Sequence, residues 1–263
     1  MILKKGSKGE DVKTLQKILG LTADGIFGAQ TEAKVKEWQK VHGLTADGIV
    51  GDKTWAAMTG TTSATAQTSS KAIGPGVVYN PISVHMGACS TRKIEYLVIH
   101  YTAGSTSKEG AAEQSRRVFM SRNASADFVV DDKTMLQVNP DPLKHYCWAV
   151  GDGGGKYGVT NKNAISIEIC SNLRKGTTAK VPNHEGWYFT DAAIDNAVKL
   201  AKMIMAKYNI PLERVIRHYD ASHKLCPGIL GWNPGTIYDP VLATPTKMKS
   251  TEEKWRAFKA RLS

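Results

Sequence analysis

The segment Arg217-His218-Tyr219-Asp220-Ala221-Ser222-His223-Lys224-Leu225-Cys226-Pro227-Gly228 places an imidazole and a thiol a short loop apart. A second imidazole, His100, lies in the run Leu97-Val98-Ile99-His100-Tyr101-Thr102, at the end of an apolar strand. Two imidazoles and one thiolate are three soft-to-borderline donors. A catalytic zinc takes that number from the protein and keeps its fourth position open to water. Such a set would make the chain a metallohydrolase, because zinc brings the pKa of a bound water down to about 7.

A third run, Ile165-Ser166-Ile167-Glu168-Ile169, alternates with the period of a strand. Its isoleucines share one face, and Ser166 and Glu168 share the other. An unpaired carboxylate is too costly to bury in an apolar layer, so Glu168 must face a cleft or a partner. Beside a metal it is placed to act as a general base toward an activated water. Without the His/Cys set, a structural ion pair with a lysine is the better account. Amide hydrolysis also needs a cation or donor for the oxyanion. Lys224, two residues before Cys226, could supply it; by position alone it reads as an exposed loop lysine.

The elements that must carry these residues follow from periodicity. Glu95 to Tyr101 is a strand-like run, and Ala111 to Met120 reads as a helix with Ala112, Ser115, Val118 and Phe119 on one face. Phe128-Val129-Val130 and Met135-Leu136-Gln137-Val138 flank the turn Asp131-Asp132-Lys133-Thr134, as in a hairpin. Ala164 to Cys170 is a further strand. Asp191 to Tyr208 is the longest helix, capped by Thr190, with Ala193, Ile194, Ala197, Leu200, Ala201 and Ile204 as its stripe. Val215 to His218 is a last short strand, and Ser250-Thr251-Glu252-Glu253 has the form of a capping box opening a helix that holds Trp255 and Phe258. That helix is expected to pack back on its own domain. Strands mixed with helices make this an α/β domain, a mixed central sheet flanked by helices.

Upstream lies a repeat. Leu21-Thr22-Ala23-Asp24-Gly25-Ile26-Phe27-Gly28 recurs as Leu44-Thr45-Ala46-Asp47-Gly48-Ile49-Val50-Gly51, 23 residues on. Each copy is an Asp-Gly turn feeding a helix start. Ser7-Lys8-Gly9-Glu10 has capping-box form before a helix with Val12, Leu15, Gln16, Ile18 and Leu19 on its inner face; Val35, Trp38 and Val41 serve the second helix. Residues 1–60 therefore read as a small three-helix domain. Residues 61–76, rich in Thr, Ser, Ala and Gly, read as a flexible linker, and residues 77–263 as the second domain.

Composition narrows the partners. The chain has 263 residues, 41% hydrophobic and 22% charged, as soluble globular proteins do, and no apolar run reaches the ~20 residues that span a bilayer. Membrane insertion is not expected. The net charge of +11 favours a polyanionic partner, such as nucleic acid or a bacterial wall. The basic residues are dispersed and form no nucleic-acid motif, so nucleic acid is not expected. The start, Met1-Ile2-Leu3-Lys4-Lys5-Gly6, carries no apolar stretch with a cleavage site, so no secretory signal is read. Of four cysteines, Cys89, Cys147 and Cys170 read as buried thiols; no C-x-x-C pair occurs and a disulfide framework is not expected. Gly151-Asp152-Gly153-Gly154-Gly155 lacks the P-loop pattern and reads as a mobile rim loop.

Residues 1–60 resemble the peptidoglycan-binding domain 1 family, whose mark is a helix, a D-G-x-x-G turn, a helix and the same turn again. Val98-Ile99-His100-Tyr101-Thr102, Ile165 to Ile169 and His218 to Gly228 resemble, in order, the motifs of the type-2 N-acetylmuramoyl-L-alanine amidases, which share a fold with the peptidoglycan recognition proteins. The likeness covers about residues 78 to 240. It implies a zinc ion held by His100, His218 and Cys226, Glu168 as the catalytic acid and Lys224 as the oxyanion contact. The implied reaction cleaves the amide between the lactyl group of N-acetylmuramic acid and L-alanine, with peptidoglycan as the partner. Wall-binding and lytic domains with no signal imply an endolysin, working from a host cytoplasm onto the wall, or an autolysin exported by another route. Three positions depart from the pattern. Trp148-Ala149-Val150-Gly151 stands for Trp-His-Ala-Gly, Asp127 for a histidine, and the tyrosine used by one branch near Ala126 has no equivalent.

Other readings use the same residues. A non-catalytic recognition protein would typically lose the cysteine, which this chain keeps at Cys226. A zinc peptidase would cut within the stem peptide, and a glycosidase needs a second carboxylate flanking the sugar bond, which Glu168 lacks. His145 reads as a cleft wall or core residue and His223 as surface, while His85 and His184 carry no partner signal. Trp187 and Tyr188 read equally as groove lining or as packing.

Overall fold

In the N-terminal repeat one side chain per copy does the organising. The computed structural model describes residues 2–58, 72–151, 157–177, 181–238, 245–247 and 252–263. The chain divides into two units, Met1–Gln67 and Thr68–Ser263. In the first, α1 (Glu10–Ile18), α2 (Ala29–Val41) and α3 (Asp52–Met58) surround Val12, Leu15, Leu19, Phe27, Val35, Val50 and Trp55. Gln16 Nε2 donates to Asp24 Oδ1 at 2.7 Å, Ile26 O at 3.0 Å and Thr31 Oγ1 at 3.1 Å, and its Oε1 accepts from Gly25 N at 2.9 Å. Gln39 repeats the pattern with Asp47, Ile49, Thr54 and Gly48. A buried amide thus gives partners to a turn N–H, a turn carbonyl and the turn's Asp, which is why Gln occupies an otherwise apolar stripe. Gly25 and Gly48 hold φ of 78° and 76°, as an Asp-Gly turn requires.

Two expectations for this unit are corrected. Ser7 accepts from Lys4 N rather than capping α1, and Gly9 takes the N-cap with no side-chain bond. Val41 is 75% exposed; Gln39 takes the inward place near the end of α2, and Trp38 stacks on His42 at 3.7 Å.

The second unit runs β1 (Val77–Tyr79), β2 (Met86–Ala88), β3 (Tyr96–Tyr101), α4 (Ala111–Phe119), β4 (Phe128–Val130), β5 (Met135–Gln137), β6 (His145–Cys147), β7 (Ala164–Ile169), β8 (Asn172–Leu173), β9 (Trp187–Tyr188), α5 (Asp191–Tyr208), β10 (Val215–Arg217), α6 (His218–Ser222), β11 (Thr236–Tyr238), β12 (Pro245–Lys247) and α7 (Glu253–Ala260). A six-stranded mixed sheet has the order β1-β5-β4-β7-β3-β10, with only β4 and β5 antiparallel to each other. The hairpin turn between them is closed by Asp131 Oδ1, which accepts from Lys133 N and Thr134 N. The fold is the expected α/β architecture. Packing of this unit already begins at Ala72 and Ile73, inside the stretch read as linker, because Ile73 N donates to Gln137 Oε1 at 2.8 Å.

Strand alternation divides the sheet's two faces. Leu97, Ile99, Ile165, Ile167 and Ile169 pack under Ala193, Ala197, Leu200, Ala201 and Ile204 of α5, with Trp232, Trp255 and Phe258 continuing that core into α7. Thr190 caps α5, accepting from Ala193 N at 3.2 Å. The proposed capping residues Ser250 and Thr251 of α7 lie outside the described residues, as does most of the expected linker and rim loop. On the other face, α4 covers Val129 and Leu136, and Ala221 of α6 covers Val98 and Ala164. Cys147 and Cys170 are buried as expected, whereas Cys89 is half-buried next to β2, whose pairing with β6 leaves it at a sheet margin. No helix among the described residues is long and apolar enough to cross a membrane.

Candidate active site

The site lies on the face of the sheet turned away from α5. Because Ile99 and Ile167 point into the core beneath α5, their neighbours His100 and Glu168 point the other way. The parallel register sets His100 directly beside Glu168. His218 is expected as a strand end but opens α6, one residue after β10, because Arg217 N donates to Asp220 Oδ2 and starts the turn. The loop after α6 folds back. His223 takes φ of 61°, Tyr219 N donates to Cys226 O at 2.9 Å, and Arg217 Nη1 ties the loop base to Trp232 O at 2.8 Å.

These turns bring His100, His218 and Cys226 together, all buried, with one donor atom from each within 4.8 Å of the others. Cys226 Sγ is 3.8 Å from His100 Nδ1, and the two imidazole rings meet edge-on at 4.6 Å. His218 Nε2 contacts Val150 O at 3.0 Å; a carbonyl can only accept, so this nitrogen carries the proton and Nδ1 presents its lone pair. His218 Nδ1, His100 Nε2 and Glu168 Oε2 are enclosed and make no hydrogen bond among the described residues. Orphaned buried nitrogens beside a thiol are costly unless something else engages them. A tetrahedral zinc, with Zn–N of about 2.1 Å and Zn–S of about 2.3 Å, suits this donor set.

The electrostatics favour neutral ligands. Burial, then the neighbouring charges of His218 and Lys224, holds His100 well below the usual imidazole range. Burial and Lys224 bring His218 down to about 4, against the raising effect of its bond to Val150. Burial and the nearby Glu168 push the Cys226 thiol up, so in the protein alone it keeps its proton. Burial lifts Glu168 to about 8, with Lys224 pulling in the opposite direction. Lys224 itself is exposed at the mouth of the loop.

The remaining candidates sit elsewhere. Asp127 is buried 3.3 Å from Arg92 Nη1 and accepts from Asn139 Nδ2 and Ser166 N, so its role is structural, in a buried ion pair at the start of β4. Trp187 is buried in the core edge-on to Tyr101, and His184 Nδ1 accepts from Gly186 N. His223 is exposed but stacks between Tyr157 and Tyr219. His85 Nδ1 contacts Phe119 O at 2.5 Å. Sequence reading missed Val150, which acts through its carbonyl, and no residue-type signal marks a backbone oxygen.

The fold and this buried cluster of three possible metal donors beside a carboxyl define the class: a mixed α/β domain with a candidate metal centre on one face of its sheet. The sequence profile of the N-acetylmuramoyl-L-alanine amidase family matches residues 90–229, over half of the chain, and that of a peptidoglycan binding domain matches residues 8–58. The chain belongs to the N-acetylmuramoyl-L-alanine amidase family. It is 30% identical over 164 residues to the N-acetylmuramoyl-L-alanine amidase CwlH of Bacillus subtilis (strain 168), covering 61% of this chain and 58% of that one. It is 32% identical over 135 residues to the amidase CwlA of the same organism, over 51% of this chain and 43% of that one. The chain thus spans about half the length of the curated relatives it matches. Among solved structures, a mutant endolysin from Bacillus subtilis is 27% identical with a TM-score of 0.49, over 71% of this chain and 98% of that one.

Proposed function

We propose that the chain is a zinc-dependent hydrolase of peptidoglycan that cleaves the amide between the lactyl group of N-acetylmuramic acid and L-alanine of the stem peptide. The observation that carries this reading is the convergence of His100, His218 and Cys226 beside the enclosed carboxyl of Glu168, in a chain of this family. His100, His218 and Cys226 would hold the zinc. Bound there, the ion supplies Lewis acidity toward a carbonyl oxygen and acidifies water at neutral pH.

The chain's own groups supply the rest. Glu168, whose carboxyl burial lifts to about 8 in the protein alone, would act as the ionised carboxylate, the form that Lys224 and a cation held beside it favour; it would take a proton from the attacking water and return it to the leaving amide nitrogen. Lys224 places a cation at the loop mouth, where it offsets negative charge as it develops on the carbonyl oxygen. Residues 1–58 would hold the enzyme on the wall, in keeping with the peptidoglycan binding domain matched there. Such a two-part protein serves wall lysis, as an endolysin or an autolysin.

Product chemistry on purified wall tests the reaction. New free L-alanine amino groups without new reducing ends are expected, with one zinc per chain by elemental analysis. New reducing ends would overturn it in favour of a glycosidase, and new amino termini within the stem peptide in favour of a peptidase.

A further inference from the structure

The carbonyl that sets the His218 tautomer belongs to a stretch with no regular secondary structure. Residues 148–151 belong to neither a strand nor a helix, so no ladder orients Val150 O. Side chains take over that task. Trp148 N donates to Ser125 Oγ at 2.9 Å, and Ala149 N and Val150 N both donate to Asn161 Oδ1, at 3.1 and 2.8 Å. One amide oxygen therefore fixes two successive peptide planes that lead up to the Val150 carbonyl. The buried Val150 side chain, packed with Val98, Val159, Ala164 and Ala221, further anchors the residue that carries this carbonyl.

Asn161 is itself pinned. It is buried, and its backbone oxygen accepts from Arg92 Nη2 at 2.9 Å. Arg92, also buried, donates in addition to Lys162 O at 3.0 Å, Pro142 O at 3.0 Å, His145 O at 2.7 Å and Ala164 O. A path of direct hydrogen bonds thus runs from the sheet-anchored Arg92 through Asn161 and Val150 to His218 Nε2.

We propose that Asn161 is a positioning residue for His218: through Val150 it holds the imidazole in the Nε2–H tautomer, with Nδ1 free to ligate metal. The inference rests on the zinc reading of the site only for its effect on metal affinity. Partners that orient a ligating histidine typically contribute 10- to 100-fold in metal affinity.

The test measures zinc affinity by chelator competition and the His218 tautomer by ¹⁵N NMR of the zinc-free protein. The wild-type chain is expected to show His218 protonated at Nε2. Asn161→Ala is expected to mix the tautomers and weaken zinc at least tenfold. Asn161→Asp, which keeps an acceptor for both N–H groups, is expected to retain both. A zinc affinity and tautomer unchanged in Asn161→Ala would overturn the proposal. So would a wild-type His218 protonated at Nδ1, a result that needs no variant to fold. A wild-type chain that binds no zinc would overturn the reading of the site instead, and the tautomer spectra would then decide the role of Asn161.

Discussion

At the scale of the residue, His218 couples folding to pH. Its imidazole falls to about 4 in the folded chain against 6.5 unperturbed, because burial and Lys224 disfavour the cation. Between those values the unfolded chain binds a proton that the folded chain refuses. Stability therefore falls as pH drops from 6.5 to 4, by about 3 kcal/mol from this group. Urea unfolding of zinc-free protein across that range is expected to show this slope, and to show less of it in His218→Gln. Glu168 acts in the opposite direction. Its carboxyl, raised to about 8 from 4.5, holds a proton that the unfolded chain gives up, so stability is lost as pH rises through that interval. Glu168→Gln is expected to flatten that alkaline loss while lowering hydrolysis of wall at least 100-fold, read by amino-group release. Cys226→Ser is expected to lose tight zinc and lysis together, checked by elemental analysis and turbidity; a metal-free variant that still clears wall suspensions would refute the assignment. Residue types and spacing brought His100, Glu168, His218 and Cys226 to notice without coordinates. Asn161 and Val150 escaped because what they contribute is an amide oxygen and a backbone carbonyl, atoms that many residues possess.

At the scale of the element, the site depends on how closely the Cys226 loop approaches β3. A Cβ at Gly228 would overlap the ring of Tyr101, so only glycine lets the loop lie against the strand that carries His100. Gly228→Ala must push the loop outward or displace the ring, and forcing volume into a packed site costs about 1–3 kcal/mol. Lower stability and weaker zinc are both expected, the first by urea midpoint and the second by chelator competition. Tyr101→Leu in the same chain is expected to recover part of both losses, making the pair non-additive. Strong periodicity made β3, β7 and α5 readable, since alternation and a 3.6-residue stripe report burial directly. Local signals did less well where they competed. Ser7-Lys8-Gly9-Glu10 has capping-box form, yet Gly9 N is taken by Gly25 O and the serine turns to Lys4. His218 continues the apolar run of β10, yet the Asp220 carboxylate captures Arg217 N and begins a helix there.

At the scale of the molecule, the two units have separate cores and separate profile matches, which argues for separable tasks. Leu15, Phe27, Val35 and Trp55 belong to one cluster, and the residues around His100 and Cys226 pack with clusters drawn wholly from residue 72 onward. Among the described residues, the partners of the proposed metal ligands include Val150 and Lys224, both in the second unit. Zinc binding and cleavage of one amide are therefore expected to need nothing from residues 2–58. Acting on an insoluble wall is different, because a second attachment point raises the local concentration of enzyme at its substrate, by factors that reach 10²–10⁴ in linked binders. A chain beginning at residue 72 is expected to keep wild-type zinc affinity and wild-type kcat/KM on a soluble muramoyl-peptide, while its clearing of intact wall falls at least tenfold. The Gln39→Ala change should mimic the second effect without shortening the chain, since it leaves Gly48 N, Ile49 O and the Asp47 carboxylate short of a partner in the second turn. Loss of soluble activity on truncation would show instead that the catalytic unit depends on the first for its fold.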